Sequence, residues 1–339
     1  MKIGIHQSKG TFSQRWISYC EKHKIEYKLV NCYSNDIIEQ VEDCAALMWH
    51  FHHTNYKDAL FAKGLLFSLE QSGKIVFPNF KTAWHFDDKI GQKYLLESIN
   101  APMVPSFVFY DRQSALKWIE NSTFPKVFKL RGGSGSRNVR LAKTKKEAKL
   151  IVRKAFKEGF SQSDRLSQLQ ERIRKVKEGK ESLFYILRGV GRVFIPTEYA
   201  KMHGKEKGYV YFQDFLPNNT YDIRLIVIGD KAFGLKRMVR KNDFRASGSG
   251  YIYYDRNDID ERCIEISFRV NRLIKSQSIA FDFIFDKENN PLIVEISYGY
   301  SVEAYNDCPG YWDKELNFHK GSFIPQEWMV QDIIDKVRS

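Results

Sequence analysis

Residues 279–297 read IAFDFIFDKENNPLIVEIS, and this stretch decides how the whole chain is interpreted. Two apolar runs rich in β-branched and aromatic residues flank a polar segment, residues 286–291, which predicts a β-hairpin with a long turn. Because successive side chains of a strand alternate between its faces, Phe281, Phe283 and Phe285 share one face and Asp282 lies on the other. The second strand places Leu292, Val294 and Ile296 on one face, and Ile293, Glu295 and Ser297 on the opposite one.

The register of this hairpin brings two carboxylates together. A turn centred between Glu288 and Asn289 puts Asp282 directly opposite Glu295, with β-carbons about 4.5–5.5 Å apart. Like charges so placed destabilise a sheet, and a divalent cation such as Mg²⁺, bridging a bound polyphosphate, would neutralise them. The alternative is an ordinary surface hairpin with a solvated acidic face, and the choice depends on motifs upstream.

Composition sets the broad class of the protein. The chain has 339 residues, room for two or three domains, and its net charge of +13 favours anionic partners such as nucleotides, carboxylates, glycans or nucleic acid. No apolar run approaches the ~20 residues of a membrane span, and the N-terminus lacks the apolar core of a signal peptide. Five scattered cysteines without a CxxC pair indicate reduced thiols in a cytoplasmic protein.

The first 85 residues alternate short apolar strands with helical segments, which predicts a parallel sheet. Ligands of open α/β sheets bind at the carboxyl ends of the strands, where this chain has His6-Gln7-Ser8-Lys9 and His50-Phe-His-His-Thr-Asn55. We expect substrate contacts there. The histidines could also be read as metal ligands, but His52 and His53 point to opposite faces if the strand continues, and no carboxylate completes the set.

The middle of the chain has a glycine-rich loop and a basic segment. The loop, residues 131–137, follows a strand ending near Lys129 and could hold phosphate oxygens with its backbone amides, or be a plain flexible connection. A helix with one apolar stripe follows. Residues 137–192 contain 17 Lys and Arg against 6 Asp and Glu, which suits a solvated face or an anionic substrate better than a nucleic-acid arm, because aromatic residues are few there.

Residues 209–250 contain a strand, a turn and a hairpin with several arginines. The hairpin strands span residues 221–228 and 231–239, and the arginines of residues 236–245 precede a loop, residues 246–250. Arginines beside such a loop suit the binding of a transferring phosphoryl group or a carboxylate.

This ordered set of motifs resembles the ATP-grasp superfamily, in particular the branch of glutathione synthetase and the ribosomal-protein glutamate ligase. The similarity runs from about residue 88 to residue 297, and its strongest part is QDFL at 213–216, YDIRLIVIGD at 221–230 and DFR at 243–245, followed by the acidic hairpin. The resemblance implies an ATP-grasp fold, α/β and α+β, with an N-terminal Rossmann-like (pre-ATP-grasp) α/β domain. The predicted domains are residues 1–86, residues 87–208 with a basic helical insertion at about 160–208, and residues 209–339.

The resemblance also implies roles for individual residues. Lys89 and Lys129 match the lysines that bind the nucleotide phosphates, and Asp222 matches the acid that holds the ribose. Arg237 and Arg245 match the arginines that steady the phosphoryl group and the acyl intermediate. The glycine-rich lid corresponds to Gly132, Gly133, Ser134, Gly135 and Ser136. The hinge whose backbone pairs with adenine corresponds to Gln213, Asp214, Phe215 and Leu216. The magnesium ligands correspond to Asp282, Glu295 and Ser297.

Two positions depart from the family pattern. The family usually has Asn two residues after the second metal carboxylate, where this chain has Ser297, so the second metal ion would be held more weakly. An Asn usually also follows the DFR sequence closely, where this chain has Ala246 and Ser247. The segment at about residues 160–209 does not align, which leaves the acceptor site and the metal count open.

The resemblance favours an ATP-dependent carboxylate–amine ligase that forms an acyl phosphate and releases ADP. Its cofactors would be ATP and one or two Mg²⁺ ions, with Mn²⁺ as a substitute. The alternatives are an ATP-grasp kinase that phosphorylates a small-molecule or glycan hydroxyl, and a non-catalytic nucleotide- or nucleic-acid-binding protein. The substrates would be a small carboxylate and an amine, for which an amino acid and an anionic sugar are a guess, and a homodimer is a further expectation. The sugar rests on aromatic residues that suit stacking but are more often core residues: Trp49, Tyr298, Tyr300, Tyr305, Tyr311 and Trp312.

Overall fold

The computed structural model describes residues 1–133, 139–161, 204–240, 243–246 and 250–339. The chain forms two compact units, which are described separately. The first comprises residues 1–86, 91–103 and 216–339, and the second comprises residues 87–90 and 104–215. Within these described ranges, no helix combines the length and the apolar character that a membrane crossing requires.

The N-terminal part of the first unit is a four-stranded parallel sheet in the order β2-β1-β3-β4, as the alternation of strands and helices predicts. Its elements are β1 (Ile3–His6), α1 (Ser13–Lys22), β2 (Tyr27–Val30), α2 (Ile37–Gln40), β3 (Ala46–Met48), α3 (Tyr56–Gln71), β4 (Ile75–Phe77) and α4 (Phe80–Ala83). The chain adds β2 on one side of β1 and then β3 and β4 on the other, so the strand order reverses between β1 and β3. Open α/β sheets have their ligand crevice at such a point.

Helix α5 (Lys89–Ser98) starts in the second unit and continues in the first. The second unit is built on an antiparallel sheet in the order β5-β10-β6-β7. Its elements are β5 (Ser106–Phe109), α6 (Arg112–Asn121), β6 (Lys126–Lys129), β7 (Arg140–Ala142), α7 (Lys145–Phe156), β8 (Phe160–Ser161), β9 (Lys205–Glu206) and β10 (Val210–Asp214). The apolar stripe predicted for the helix after residue 143 is confirmed, because Ala148, Val152 and Ala155 of α7 are buried in the core of this unit.

The C-terminal part of the first unit is an antiparallel sheet in the order β15-β14-β11-β12-β16-β17, with β13 paired to β12. Its elements are β11 (Tyr221–Ile228), β12 (Lys231–Met238), β13 (Ile252–Tyr253), a 3₁₀ turn (Arg256–Asp258), α8 (Glu261–Ile274), β14 (Ser278–Phe285), β15 (Pro291–Ser297), β16 (Gly310–Asp313), β17 (Phe318–Lys320) and α9 (Pro325–Arg338). Helix α8 packs on one apolar cluster of the sheet, and α9 packs on another that includes β1 and β3 of the N-terminal sheet.

Side-chain caps mark where several helices begin. The carboxylate of Asp260 accepts a hydrogen bond from the backbone N–H of Arg262 at 3.0 Å and starts α8. Thr144 caps α7 through the N–H of Glu147 at 3.2 Å. Such caps satisfy backbone donors that the first turn of a helix leaves without an intrahelical partner. All five cysteines are buried and free, as expected for reduced thiols.

Candidate active site

The acidic hairpin forms as predicted from β14 and β15, and Asp282 lies opposite Glu295. The turn, however, is not where the sequence analysis placed it. Near the turn, Phe283 pairs with Ile293 and Phe285 with Pro291, so the turn is centred on Glu288. A β-bulge between the two registers adds one residue, Val294, to β15 and restores the predicted pair of carboxylates.

The bulge also changes which side chains of β15 share a face. The predicted grouping of Ile293 with Glu295 and Ser297 is wrong, because Ile293 and Ile296 are both fully buried in the same apolar cluster as Phe281. Strict alternation fails here because the extra residue shifts the parity of the strand. Phe281, Phe283 and Phe285 do share the buried face, as predicted.

Neighbouring strands add further charged side chains to this pair, and we call the whole set the charge row: Asp222, Arg224, Arg237, Asp282 and Glu295. Three cross-strand register pairs build it, with Asp222 opposite Arg237, Arg224 opposite Asp282, and Asp282 opposite Glu295. Arg237 donates to Asp222 through Nε at 2.7 Å and Nη2 at 2.6 Å. Arg224 donates to Asp282 through Nε at 2.5 Å and Nη2 at 2.8 Å.

Arg237 also reaches Asp282, with its Nη2 at 3.1 Å from Oδ1. Burial alone would raise the pKa of Asp282, but Arg224 and Arg237 outweigh it and hold that pKa below its ordinary value. Burial likewise disfavours the charged form of Arg237, but Asp282 and Asp222 raise the pKa of this guanidinium above its ordinary value. Asp282 and Arg237 are therefore ionised at neutral pH although both side chains are buried. Burial raises the pKa of Asp222, and its pairing with Arg237 opposes that rise.

This arrangement changes the argument for a cation. Asp282 faces two guanidinium groups as well as Glu295, so its charge is neutralised in the absence of any metal. Arg224 is not among the site residues predicted from the sequence, although two-residue periodicity along residues 221–228 places it on the same face as Asp222. The ribose-binding role predicted for Asp222 stays a prediction, and the structure adds that Arg237 occupies both of its oxygens.

The donor set nevertheless fits Mg²⁺. Within the described residues, no group of three or more His, Cys, Asp or Glu side chains could hold a metal ion. Mg²⁺ does not need such a group, since one or two carboxylates together with substrate phosphates commonly suffice. Asp282 and Glu295 are such a pair. The hydroxyl of Ser297, the third predicted ligand, donates to the carbonyl of Gly299 at 2.9 Å, which leaves its oxygen able to coordinate a cation.

The second predicted arginine, Arg245, pairs with a carboxylate outside the charge row. Its guanidinium donates to the carboxylate of Asp243 at 2.6–2.9 Å, and its carbonyl accepts from the N–H of Arg240 at 3.2 Å. The following Ala246 is buried, and residues 247–249 of the predicted loop lie outside the described residues.

The predicted phosphate-binding lysines belong to the second unit. Lys89 begins α5 and is buried, and its Nζ donates to the carbonyl of Gly133 at 2.8 Å. The N–H of Gly133 in turn donates to Asp87 at 2.7 Å. Gly133 has φ +106°, a conformation that favours glycine. Lys129 ends β6 and is also buried. Gly132 and Gly133 are described, whereas Ser134, Gly135 and Ser136 lie outside the described residues.

The predicted hinge coincides with a boundary between the compact units, because the second unit ends at Phe215 and the first resumes at Leu216. Gln213 and Asp214 are the last residues of β10. The side chain of Gln213 donates to the hydroxyl of Ser106 at 3.0 Å, and the N–H of Asp214 donates to the carbonyl of Pro105 at 2.9 Å. The adenine contact predicted for residues 213–216 would therefore use backbone groups other than the Asp214 N–H.

A second polar cluster lies at the carboxyl ends of β1 and β3, and we call it the histidine edge: His6, His50, His52 and His53. Strand β3 ends at Met48 and does not continue to His52 and His53, so strand alternation does not separate these two side chains, and their ring centroids lie 4.4 Å apart. His50 stacks on Phe12 with 3.6 Å between ring centroids, and its Nδ1 accepts the N–H of Phe12 at 3.1 Å. Burial lowers the pKa of His50 to about 3, so its ring is neutral.

The aromatic residues considered for sugar stacking are mostly core residues. Trp49 and Tyr298 are fully buried, and Tyr300, Tyr305 and Trp312 are at most 8% exposed. The hydroxyl of Tyr298 donates to the carbonyl of Phe51 at 2.6 Å. These side chains pack the first unit and give no support to a sugar-binding surface.

Comparison with known proteins agrees with this geometry. Residues 193–308 match the family described as the RimK-like ATP-grasp domain. A solved RimK domain ATP-grasp protein from Sphaerobacter thermophilus superposes with a TM-score of 0.56, 13% identity and coverage of 98% of this chain and 99% of that one. The chain has an ATP-grasp fold. The predicted fold class is thereby confirmed.

Two further proteins that are similar to this chain, one in sequence and one in structure, are ligases. The chain is 23% identical over 321 residues, 91% of its length and 95% of the relative's, to the alpha-aminoadipate–LysW ligase LysX of Saccharolobus solfataricus. The D-alanine–D-alanine ligase of Bacillus anthracis, solved in complex with ATP, has a TM-score of 0.55 at 13% identity, covering 99% of this chain and 96% of its own. The predicted class of enzyme, an ATP-dependent ligase, is the class of both proteins.

Proposed function

We propose that the protein is an ATP-dependent carboxylate–amine ligase that works through an acyl phosphate. The observation that carries this proposal is the opposed pair of Asp282 and Glu295, which lies beside Arg224 within an ATP-grasp fold. Mg²⁺ bound by this pair would neutralise charge on the phosphates of ATP, and the chain's own groups would position the reactants.

The proposed reaction balances as two substitutions. An oxygen of the substrate carboxylate attacks the γ-phosphorus of ATP, and the bond from that phosphorus to the β-phosphate oxygen breaks, which releases ADP. The amine then attacks the acyl carbon, the carbon–oxygen bond to phosphate breaks, and the proton of the amine passes to solvent. No side-chain nucleophile is needed, which accords with the raised thiol pKa of the buried Cys20, Cys263 and Cys308.

Individual residues contribute positive charge or orientation. We assign Lys89 and Lys129 to the nucleotide phosphates, because both ammonium-bearing residues are buried at the ends of elements that adjoin the glycine-rich loop. Arg237 lies in the row next to Asp282 and would stabilise the transferring phosphoryl group. We assign Arg245 to the acyl intermediate. The intermediate would have to compete for this guanidinium with Asp243, its present partner.

One substrate is proposed to be an amino acid. The named substrate of the relative LysX is alpha-aminoadipate, and that of the structural neighbour from Bacillus anthracis is D-alanine. The anionic sugar and the homodimer predicted from the sequence stay predictions. The buried free thiols accord with a reducing compartment, and we propose that the enzyme works in the cytoplasm.

Hydroxylamine trapping tests the proposal. The protein is incubated with MgATP, hydroxylamine and candidate acids, including glutamate, α-aminoadipate and peptide carboxylates. We expect ADP and an acyl hydroxamate in equal amounts, both dependent on Mg²⁺ and on one of the acids. ADP release with a stable phosphorylated alcohol and no hydroxamate would replace the ligase by the kinase alternative. Glu288→Gln, at the exposed turn of the acidic hairpin, is the control variant that retains activity.

A further inference from the structure

Arg224 is already bound where a metal ion is expected to bind. It is the register partner of Asp282 on the adjacent strand, and its guanidinium contacts both carboxylate oxygens, with Nε at 2.5 Å from Oδ1 and Nη2 at 2.8 Å from Oδ2. Planar two-point pairs of this kind fix the orientation of the carboxylate as well as its charge. Arg224 is therefore placed to control how Asp282 meets a cation.

The number of lone pairs on Asp282 limits its coordination. An ionised carboxylate has about four lone-pair sites. Arg224 uses one on each oxygen, and Arg237 uses a second on Oδ1, where its Nη2 lies at 3.1 Å. Among the contacts of the described residues, one site on Oδ2 is left for a metal ion. Asp282 can then coordinate through a single oxygen, which suits Mg²⁺, since this ion keeps several water ligands and often uses only one or two carboxylates.

The two arginines of the row also weaken its attraction for a free metal ion. Counted at formal charge, the three carboxylates of Asp222, Asp282 and Glu295 and the two guanidinium groups of Arg224 and Arg237 leave the row a net charge of only −1. The side chain of Arg224 is only 21% exposed, and screening of its charge by solvent is weak. A divalent cation gains little there until the phosphates of a nucleotide add negative charge.

We propose that Arg224 is a positioning residue that restricts Asp282 to one metal-facing oxygen and makes metal binding depend on bound nucleotide. The metal then enters with ATP instead of binding the free enzyme. This inference rests on the proposed function, because it uses Asp282 and Glu295 as the metal pair. It concerns a residue of the chain that the family resemblance did not assign.

Binding of Mn²⁺, followed by electron paramagnetic resonance, tests the inference without any turnover. Wild-type protein is titrated with Mn²⁺ alone and with Mn²⁺ plus a non-hydrolysable ATP analogue. We expect tight binding only with the analogue. Arg224→Met removes the charge and should tighten Mn²⁺ binding without nucleotide by at least about tenfold. Arg224→Lys keeps the charge and should bind free Mn²⁺ as weakly as the wild type.

Controls separate the inference from the fold and from the proposed function. Arg262→Met removes an arginine that forms the same two-point pair with Asp260 on an exposed helix cap, and it should leave Mn²⁺ binding unchanged. Arg224→Gln, a neutral polar replacement, takes the place of Arg224→Met if the latter does not fold. Equal or weaker binding of free Mn²⁺ by the neutral variant overturns the inference.

Glu295→Gln distinguishes failure of the inference about Arg224 from failure of the proposed function. If this variant loses Mn²⁺ binding with the nucleotide analogue but Arg224→Met does not tighten binding of free Mn²⁺, the inference fails and the metal pair stands. If Glu295→Gln binds Mn²⁺ as the wild type does, the metal assignment of the proposed function fails, and the role of Arg224 fails with it.

Discussion

The charge row and the histidine edge bury polar side chains in opposite ways. In the charge row, Asp282 and Arg237 stay ionised because opposite charges lie within hydrogen-bonding distance. At the histidine edge, His50 is neutral because burial lowers its pKa to about 3, and its Nε2 has no hydrogen-bond partner in the described part of the chain. Both clusters belong to the same compact unit.

The difference indicates which cluster is suited to phosphoryl transfer. Phosphoryl transfer needs fixed charges that do not change with pH near neutrality, and the paired row supplies them. A neutral buried histidine can donate a hydrogen bond but cannot neutralise a phosphate. We therefore assign the chemistry to the row, and the substrate contacts predicted for the histidine edge stay a prediction.

The largest expected effect comes from breaking the row at its centre. Asp282→Asn leaves Arg224 and Arg237 with one carboxylate fewer, and loss of one partner of a buried ion pair costs about 3–5 kcal/mol. We expect turnover to be abolished and the free energy of unfolding, measured by denaturant titration, to fall by about that amount. Glu288→Gln on the same hairpin should change neither quantity, and an active, stable Asp282→Asn enzyme would remove the metal assignment.

The histidine edge should instead show itself as a loss of stability in acid. Burial lowers the pKa of His50, and also that of His85 outside the histidine edge, to about 3, so below their unfolded-state pKa of ~6.5 the unfolded chain binds protons that the folded chain does not. The stability they contribute is complete above pH ~6.5 and is lost between pH ~6.5 and 3, at about 1.4 kcal/mol per pH unit for each histidine. Unfolding titrations from pH 8 to pH 4 measure this slope.

Two variants test whether His50 causes this dependence of the free energy of unfolding on pH. His50→Asn keeps an acceptor for the N–H of Phe12 but does not titrate in this range, and should reduce the slope by about 1.4 kcal/mol per pH unit. Trp49→Phe perturbs the same buried region without removing a titrating group and should lower stability equally at every pH. An unchanged slope in His50→Asn would show that the ring takes up its proton over the same pH range in the folded and the unfolded protein.

A smaller effect is expected from separating β11 and β12 beside the row. A β-carbon at Gly234 would lie 2.5 Å from the carbonyl oxygen of Arg224 and 2.6 Å from a methyl carbon of Leu225. Gly234→Ala should destabilise the protein by about 1–3 kcal/mol, because the strands must move apart. It should also weaken nucleotide-dependent Mn²⁺ binding, and a variant with normal stability and metal binding would mean that the register tolerates this shift.

The smallest effect has the opposite sign and lies far from the row in sequence. Gly64 is an exposed residue inside α3, and a β-carbon there would meet no atom within 4 Å. Gly64→Ala should stabilise the protein by about 0.5–1 kcal/mol, because alanine loses less backbone freedom in a helix. Activity and metal binding should not change. Destabilisation would indicate that α3 packs more tightly than its exposed face shows.

Sequence periodicity was sufficient for the strands and for the pairing of Asp282 with Glu295, but not for the details of β15. A single extra residue, Val294, moves the turn and reverses the face of Ile293, and no local pattern of residue types signals a bulge at that point. The predicted pair survived because the error in the turn position and the bulge compensate each other.

The electrostatics of the site depended on contacts between strands that are distant in sequence. Arg224 and Asp282 are 58 residues apart, and only the order of β11 and β14 in the sheet makes them neighbours. Period-two alternation could have identified Arg224 as a residue on the same face as Asp222. It could not show that two arginines already neutralise the carboxylate for which a cation was expected.

Oxygen transfer from the substrate acid to phosphate tests the central claim most directly. Once hydroxamate trapping has identified the acid, its carboxylate is labelled with ¹⁸O and the inorganic phosphate released with the amide is analysed by mass spectrometry. An acyl phosphate at the Asp282–Glu295 pair predicts one ¹⁸O atom in phosphate for each amide formed, with none formed by Asp282→Asn. Amide formation with unlabelled phosphate would contradict this account.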